Sequence, residues 1–302
     1  DSATLYYASA AMMAVMTLLS YLTWRTNKNT PGTLLYIFYP LVMFISVMSF
    51  ALHGHINNIA SISIANSFMF SASIIHVLAI CQFFNAKCIG LRAFIGITIV
   101  LALTMIYLAT DNTELRSRIL VSDLQHIIES LFLLALFIRN GRKSYPNGSI
   151  VYIMILVIIL AVFTGRTLMM GDVSTANLLS ENWFSITLFI NGVIAPMFYA
   201  TGMALLCNER REQNLNQLTE KAHKDLEIRG LFLSTISHEI RTPLNGILGS
   251  AQLIMNQSSD PRDKPYCEAI INSAESLNLL VDKVLDYASL DQRDEALYEE
   301  DV

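Results

Sequence analysis

The sequence is poor in charged residues. Of its 302 residues, 15% are charged and 53% are hydrophobic, whereas about 25% are charged in a typical soluble domain. The mean hydropathy is +0.46. A soluble chain of this size needs more charge to cover its surface, so composition excludes an ordinary soluble protein. A disordered chain would be more polar than this one, and a nucleic-acid-binding chain would be basic, whereas the isoelectric point here is about 5.7. We therefore expect neither class and no nucleic-acid partner.

Cysteine is also scarce, and its spacing is irregular. Cys81, Cys88, Cys207 and Cys267 lie in apolar or helical surroundings. This spacing implies neither a disulfide framework nor a zinc ribbon, so we interpret them as small buried hydrophobic residues. The chain starts at Asp1, and no signal-peptide pattern precedes the first apolar segment, so we expect it to be part of a longer protein.

Charge is divided unequally along the chain. Residues 1–207 contain 10 Lys or Arg and 7 Asp or Glu, whereas residues 208–302 contain 10 and 18. The net charge therefore changes from +3 to −8, and charge density rises abruptly after Cys207. We predict a membrane domain over residues 1–207, followed by a water-soluble region.

The first 207 residues contain seven apolar segments, each of about the 20 residues that a membrane-spanning helix needs. The segments are residues 3–23, 34–53, 60–84, 92–109, 119–138, 149–170 and 183–207. The turn-forming residues of this part of the chain, such as Pro31 and Gly32, lie mostly between them. The sequence therefore predicts an all-α protein with seven transmembrane helices.

Basic residues in the short loops predict the orientation. Eleven Lys or Arg residues follow the first, third, fifth and seventh segments, whereas the opposite side has only Arg116 and Arg118. The eleven are Arg25, Lys28, Lys87, Arg92, Arg139, Arg142, Lys143, Arg210, Arg211, Lys221 and Lys224. Because basic loops stay cytoplasmic, we predict a multi-pass membrane protein with its N-terminus outside and its C-terminus in the cytoplasm.

Ionisable residues inside the apolar segments are the candidates for a sensory site. Asp123, His126 and Glu129 are spaced by three and share one helix face. Arg166 lies near the outer end of the sixth segment. We expect six side chains to converge on one outward-opening polar cavity. They are His53, His55, Asp123, His126, Glu129 and Arg166.

Three interpretations of this polar group remain open. In a ligand pocket, which we favour, Arg166 would receive an anionic group of a small extracellular or membrane-soluble ligand. In a structural network, Arg166 would pair with Asp123 or Glu129 and hold the bundle together. A metal site would use His126 and Glu129, which share a face, but we predict no metal.

Residues 208–228 turn charged but keep a helical pattern. They contain neither proline nor glycine, and apolar residues such as Leu215, Leu218 and Ala222 recur at steps of three or four. This pattern predicts a coiled-coil signalling helix that continues directly from the seventh segment, with a solvated single helix as the alternative.

Residues 229–290 predict a two-helix hairpin. Apolar residues keep a helical period on both sides of a break at residues 258–261. Two helices of about 25 residues cannot bury these apolar stripes alone, so we expect a homodimer that forms a four-helix bundle. His238 lies off the stripe, so its imidazole is expected to face solvent.

An exposed histidine followed by a carboxylate suits phosphoryl chemistry. A neutral imidazole nitrogen of His238 is a nucleophile near pH 7, and Glu239 can accept the proton from the other nitrogen. The hydroxyl of Thr242, one turn away, can orient a water molecule for hydrolysis. Pro243 lacks an N–H group, so we predict a bend there, which would act as a hinge.

Ten residues around this histidine carry a family resemblance. They are Ser237-His238-Glu239-Ile240-Arg241-Thr242-Pro243-Leu244-Asn245-Gly246. This motif resembles the H-box in the dimerisation and histidine-phosphotransfer domain of sensor histidine kinases. The resemblance covers about residues 225–292, since Val284 to Leu290 is similar to the end of that domain. It implies that His238 is the phospho-acceptor, Glu239 the base, and Thr242 the residue used in the phosphatase reaction. It also implies a response-regulator receiver domain as partner.

The chain departs from this family after the hairpin. No glycine-rich or asparagine-rich ATP-lid motif follows, and residues 291–302 are expected to begin a linker to an ATP-binding domain that this chain lacks. ATP with Mg²⁺ would be bound by that domain, so we expect the chain to be inactive alone. The H-box resembles that of hybrid kinases with a fused receiver, and the seven-segment layout is shared by some quorum-sensing kinases.

With this resemblance, the favoured function is a sensor histidine kinase of the bacterial inner membrane. We expect it to sense a signal in the outer half of the seven-helix bundle and to control phosphorylation of His238 and phosphotransfer to a response regulator. Two alternatives remain: a seven-helix transporter or channel with a regulatory phosphotransfer module, and a scaffold with an inactive phosphotransfer domain. We see no repeated halves of the kind that transporters often have.

Overall fold

The computed structural model describes residues 2–52, 55, 58–86, 88–110, 115–169, 190–257 and 262–299. Regular structure in these residues is helical throughout, with no β-strand among them. The chain divides into two compact units, Asp1–Glu212 and Gln213–Val302. The prediction of an all-α protein is confirmed.

Seven helices of the described residues are long and apolar enough to cross a membrane, as predicted. They are α1 Ser2–Thr26, α2 Thr33–Ala51, α3 Asn58–Phe83, α4 Leu91–Thr110, α5 Leu115–Leu136, α6 Pro146–Met169 and α7 Ala195–Gln257. A π-helical turn, Phe137–Gly141, and a short turn, Arg142–Ser144, connect α5 to α6, and a π-helical turn, Ile190–Ile194, precedes α7.

The α1–α2 turn shows how one of the turn-forming residues, Gly32, positions these helices. Gly32 has a φ of 84°, and a Cβ atom there would overlap the backbone carbonyl oxygen of Ala79 on α3. Only glycine combines this left-handed conformation with so close an approach. The turn therefore brings the start of α2 directly against the later part of α3.

The first unit is apolar outside and partly polar inside. Its core packs aromatic and aliphatic side chains of α2, α3, α5, α6 and α7, including Tyr36, Phe83 and Tyr152. Large apolar residues such as Leu103 and Val100 are exposed on α4. A surface of this kind suits a lipid environment, because hydrocarbon chains solvate apolar side chains.

One expectation about cysteine is wrong. Cys81, in the last turn of α3, and Cys88, in the connection to α4, form a disulfide, with their Cα atoms 6.2 Å apart. The chain reverses there through Asn85, which has a φ of 47°, and this turn brings the two residues together. Spacing alone did not reveal this turn. Cys207 and Cys267 are free and buried, as expected.

The second unit contains the rest of α7 and helix α8, Asp263–Glu299. Helix α7 continues through Pro243 up to Gln257, so the predicted hinge at Pro243 stays a prediction. Side chains buried in this unit, such as Leu244, Ala251 and Ala274, recur at helical spacing. Other large apolar side chains, including Ile254 and Leu280, remain exposed.

Candidate functional site

His238 lies on α7 in the second unit with an exposed side chain. The preceding Ser237 is buried, as is Leu244 further along the helix, so His238 points away from the packed side of the helix. Glu239 is also exposed. This position leaves the imidazole open to a second reactant, which is what a group-transfer site on a helix surface requires.

Thr242 and Pro243 lie one turn beyond His238 and are both exposed. The Thr242 hydroxyl donates a hydrogen bond to the backbone carbonyl oxygen of His238, at 3.1 Å. Its oxygen lone pairs remain available to accept a hydrogen bond from water. Pro243 has no N–H group to donate to the carbonyl four residues earlier, which belongs to Glu239. The helix therefore lacks one backbone hydrogen bond directly after His238.

A salt bridge joins the two helices next to this segment. The Arg241 Nη2 atom lies 2.7 Å from the Asp282 Oδ1 atom, and both side chains are about half exposed. An exposed pair of this kind contributes about 0–1 kcal/mol to stability. The pair therefore contributes little to the stability of the hairpin.

In the first unit, Asp123 and Arg166 form a bidentate ion pair between α5 and α6. The Arg166 Nε atom donates to Asp123 Oδ2 at 3.0 Å, and its Nη2 atom contacts Asp123 Oδ1. The Thr167 hydroxyl contacts the same carboxylate at 3.3 Å. Asp123 is fully buried. Two oxygens of one buried carboxylate are thus satisfied by one guanidinium, as bidentate geometry allows.

Glu129 has a different set of partners. Its Oε1 atom lies 2.9 Å from Nδ1 of His76 on α3, and its Oε2 atom accepts a 2.6 Å hydrogen bond from Ser73. Gln125 donates to the Ser73 hydroxyl at 2.8 Å. The His76–Glu129 contact joins α3 to α5. These contacts connect α3 and α5 through a continuous buried network.

Four tyrosines surround His76, and they were not among the residues predicted to form a site. The His76 ring lies 4.4 Å from the ring of Tyr39 and 4.6 Å from that of Tyr199, measured between centroids. Tyr36 and Tyr152 lie at 6.0 and 6.1 Å. The only available signal was the spacing of Tyr36 and Tyr39 by three on α2, which places them on one face.

His126 lies apart from the Glu129–His76 pair. Its Nε2 atom is 3.1 Å from the Asn191 amide nitrogen, and its ring packs on Phe163. His126 and Glu129 both line a cavity of about 20 Å³, which is enough for about one water molecule. It is lined by Tyr39, Met43, Met69, Ser73, His126, Glu129, Ser130, Ile159, Asn191 and Tyr199.

The six residues predicted to converge are therefore distributed over separate places. His126 and Glu129 line the cavity, whereas Asp123 and Arg166 bind each other. His55 is exposed in the α2–α3 connection, and His53 lies outside the described residues. Among the described residues, no group of three or more His, Cys, Asp or Glu side chains is arranged to hold a metal ion.

Comparison with known proteins bears on the second unit. Residues 228–293 match the His Kinase A (phospho-acceptor) domain. Sensor histidine kinase AruS of Pseudomonas aeruginosa is 39% identical over 84 residues, which is 28% of this chain and 8% of AruS. The autoinducer 2 sensor kinase/phosphatase LuxQ of Vibrio vulnificus is 32% identical over 102 residues, 34% of this chain and 12% of LuxQ.

A third relative is the aerobic respiration control sensor protein ArcB homolog of Haemophilus influenzae. It is 36% identical over 80 residues, which is 26% of this chain and 25% of that protein. The chain thus spans a quarter or less of the length of these relatives. No solved structure matches the chain. These matches relate residues 228–293 to the phospho-acceptor domain that sensor histidine kinases contain.

Proposed function

We propose that this chain is the sensing and phospho-acceptor part of a membrane sensor histidine kinase. The observation that carries the proposal is the match of residues 228–293 to the phospho-acceptor domain, with His238 exposed at its H-box. The part of the chain that the structure describes also contains seven helices able to cross a membrane. A phospho-acceptor domain joined to a membrane bundle would let a signal in the bundle control phosphorylation of His238.

The proposed reaction is phosphoryl transfer to His238. One imidazole nitrogen attacks the γ-phosphorus of ATP, a P–N bond forms, and the bond to the leaving ADP oxygen breaks. Glu239 accepts the proton that the other ring nitrogen loses. ATP and Mg²⁺ are substrates that a catalytic domain of the longer protein would bind, and we assign them no residue of this chain.

The phosphoryl group would then pass to the receiver domain of a response regulator. In a separate phosphatase reaction, Thr242 would orient the water molecule that attacks the phosphorylated receiver, which breaks the bond between receiver and phosphorus and releases inorganic phosphate. Its hydroxyl oxygen keeps lone pairs for this purpose while it donates to the His238 carbonyl. A fused receiver and a quorum-sensing role are finer proposals that rest on the H-box resemblance and the seven-helix layout.

A second copy of the chain is the proposed partner of the hairpin. Large apolar side chains remain exposed on α7 and α8, including Ile247, Ile254, Leu277 and Leu280. Burial of each such side chain contributes about 1.5–3 kcal/mol. A homodimer in which two hairpins form a four-helix bundle would bury them and leave His238 outside. We propose residues 229–290 as this domain and residues 208–228 as the helix that connects it to the membrane domain.

The polar interior of the first unit is the proposed sensory region. Ionisable groups inside a membrane domain are costly and usually functional. His126 and Glu129 line a cavity there, and the small ligand or membrane-level signal would act on it from the outer side. With the proposed orientation, the N-terminus lies outside a bacterial inner membrane and His238 lies in the cytoplasm.

Labelling of the full-length protein tests the proposal. In nanodiscs with radioactive γ-phosphate ATP, we expect His238→Gln to lose all labelling, because the acceptor nitrogen is absent. His223→Gln, which changes another histidine of α7, is the matched control and should label like the unchanged protein. Equal labelling of all three proteins would contradict the proposal. Flux through proteoliposomes would instead support the transporter or channel alternative.

A further inference from the structure

Two neighbouring residues attach α7 to two other helices of the first unit. The Glu209 carboxylate accepts hydrogen bonds from the backbone N–H groups of Asn147 and Gly148, at 2.8 and 3.1 Å. Arg210 donates from Nη1 to the backbone carbonyl oxygen of Phe83, at 2.6 Å, and lies over the Phe83 ring. These contacts join α7 to the first turn of α6 and to the last residue of α3.

Each charge lies at the helix end that it suits. The first N–H groups of a helix lack partners within that helix and carry partial positive charge, so they favour a carboxylate. The last carbonyl groups carry partial negative charge and favour a guanidinium. Glu209 and Arg210 therefore satisfy opposite helix ends from adjacent positions of one helix, which fixes how α7 is rotated in the first unit.

Close packing strengthens the connection between α6 and α7. A Cβ atom at Gly148 of α6 would lie 2.7 Å from Leu206, and one at Gly202 of α7 would lie 2.6 Å from Tyr152. On each helix, a glycine thus packs against a large side chain of the other helix. Sliding or rotating either helix alone would drive these side chains into backbone.

The far end of α6 carries the Asp123–Arg166 ion pair. Arg166 comes 18 residues after Gly148, which corresponds to about 27 Å along a helix. This length is close to the hydrocarbon thickness of a bilayer, about 30 Å. Helix α6 therefore carries the buried Asp123–Arg166 ion pair near one end and binds the Glu209 carboxylate of α7 at the other.

We propose that α6 carries changes at the Asp123–Arg166 pair to α7, and that Glu209 is the positioning residue through which α7 follows. This inference rests on the proposed function, since it assumes that α7 controls phosphorylation of His238. It adds to that function a defined physical connection from the Asp123–Arg166 pair, along α6, to Glu209 on α7. A displacement of α6 is transmitted because its first turn is held by a side chain of α7 itself.

A double-mutant cycle tests the route without knowledge of the ligand. Asp123→Asn removes the charge that holds Arg166 and serves as the perturbation. In the full-length protein, we expect it to change the initial rate of His238 labelling by about fivefold or more. In a Glu209→Gln background, the same change should alter the rate by less than about twofold, because the coupling between two linked sites is lost.

The chain supplies a matched control three residues further along α7. Glu212 is exposed, and Glu212→Gln removes the same charge from the same helix. In that background, the effect of Asp123→Asn should remain at full size. Glu209→Asp, which keeps the carboxylate, should restore part of the coupling. Arg166→Lys replaces Asp123→Asn as the perturbation if the latter prevents folding, with a smaller effect expected.

Hydrogen exchange of the Asn147 and Gly148 amides gives a readout that does not depend on kinase activity. Both amides should exchange at least tenfold faster in Glu209→Gln than in Glu212→Gln, and Asp123→Asn should change their exchange in the unmodified background. An equal effect of Asp123→Asn on labelling with and without Glu209→Gln would overturn the route, as would no effect of either perturbation. Absence of any His238 labelling would instead count against the proposed function, while the exchange data would still test the route.

Discussion

The two units of this chain place their polar groups in opposite ways. The first unit exposes apolar side chains and buries Asp123, Glu129 and His76, each with a polar partner. The second unit exposes His238 and Glu239 and also leaves apolar side chains on its surface. In a lipid environment a charge must be paired inside the protein, whereas a group that reacts with a second protein must be accessible. The contrast fits the proposed membrane environment of the first unit and the proposed reaction at His238 in the second.

The same contrast applies to the two ion pairs that join helices. Asp123–Arg166 is buried between α5 and α6, and Arg241–Asp282 lies half exposed in the hairpin. Breaking a buried pair leaves one uncompensated charge without water, while an exposed charge is simply rehydrated. The pairs should therefore differ strongly in their contribution to stability.

The largest effect on stability is expected from Asp123→Ala. It leaves the Arg166 guanidinium without its carboxylate, and the free energy of unfolding of the first unit should fall by about 3–5 kcal/mol. Thermal unfolding in detergent micelles would measure this loss. Asp123→Ala combined with Arg166→Met, which removes both charges, should recover part of the stability. No recovery in the double variant would contradict the charge argument.

An intermediate effect is expected at the α6–α7 contact. Gly148→Ala places a Cβ atom against Leu206 and should destabilise the first unit by about 1–3 kcal/mol through overpacking. Gly165→Ala on the same helix meets no atom within 4 Å, so it should be neutral or stabilise by up to about 1 kcal/mol. Equal unfolding temperatures for these two variants would show that α6 and α7 are not closely packed.

The smallest effect is expected from Asp282→Asn in the hairpin. The Arg241–Asp282 pair is exposed, so its loss should cost about 1 kcal/mol or less, and added salt should reduce even this difference. Chemical unfolding at low and high ionic strength would measure both quantities. A loss as large as that of Asp123→Ala would remove the distinction between the two units.

Much of this architecture was predictable from local pattern. Seven apolar segments, the change in charge after Cys207 and the helical period around His238 are properties of neighbouring residues. The pairing of Arg166 with Asp123 was one of two pairings considered for a structural network, because few partners exist inside a membrane. Spacing by three also placed His126 and Glu129 on one face, and both line the cavity.

Other features depend on contacts between residues far apart in the chain. The tyrosines around His76 come from α2, α6 and α7, and no local pattern relates them. Glu209 and Arg210 looked like ordinary charges of a connecting helix, yet they bind residues more than 60 and 120 positions away. The Cys81–Cys88 disulfide required a reversal of the chain that hydropathy does not show.

Chemical identification of the phosphorylated residue tests the central claim most directly. Full-length protein would be incubated with ATP and Mg²⁺ and digested under alkaline conditions, and its peptides would be sequenced by mass spectrometry. We predict one phosphoryl group on His238, stable in alkali and lost in acid, as expected for a P–N bond. An acid-stable phosphoryl group on another residue, with His238 unmodified, would contradict the account.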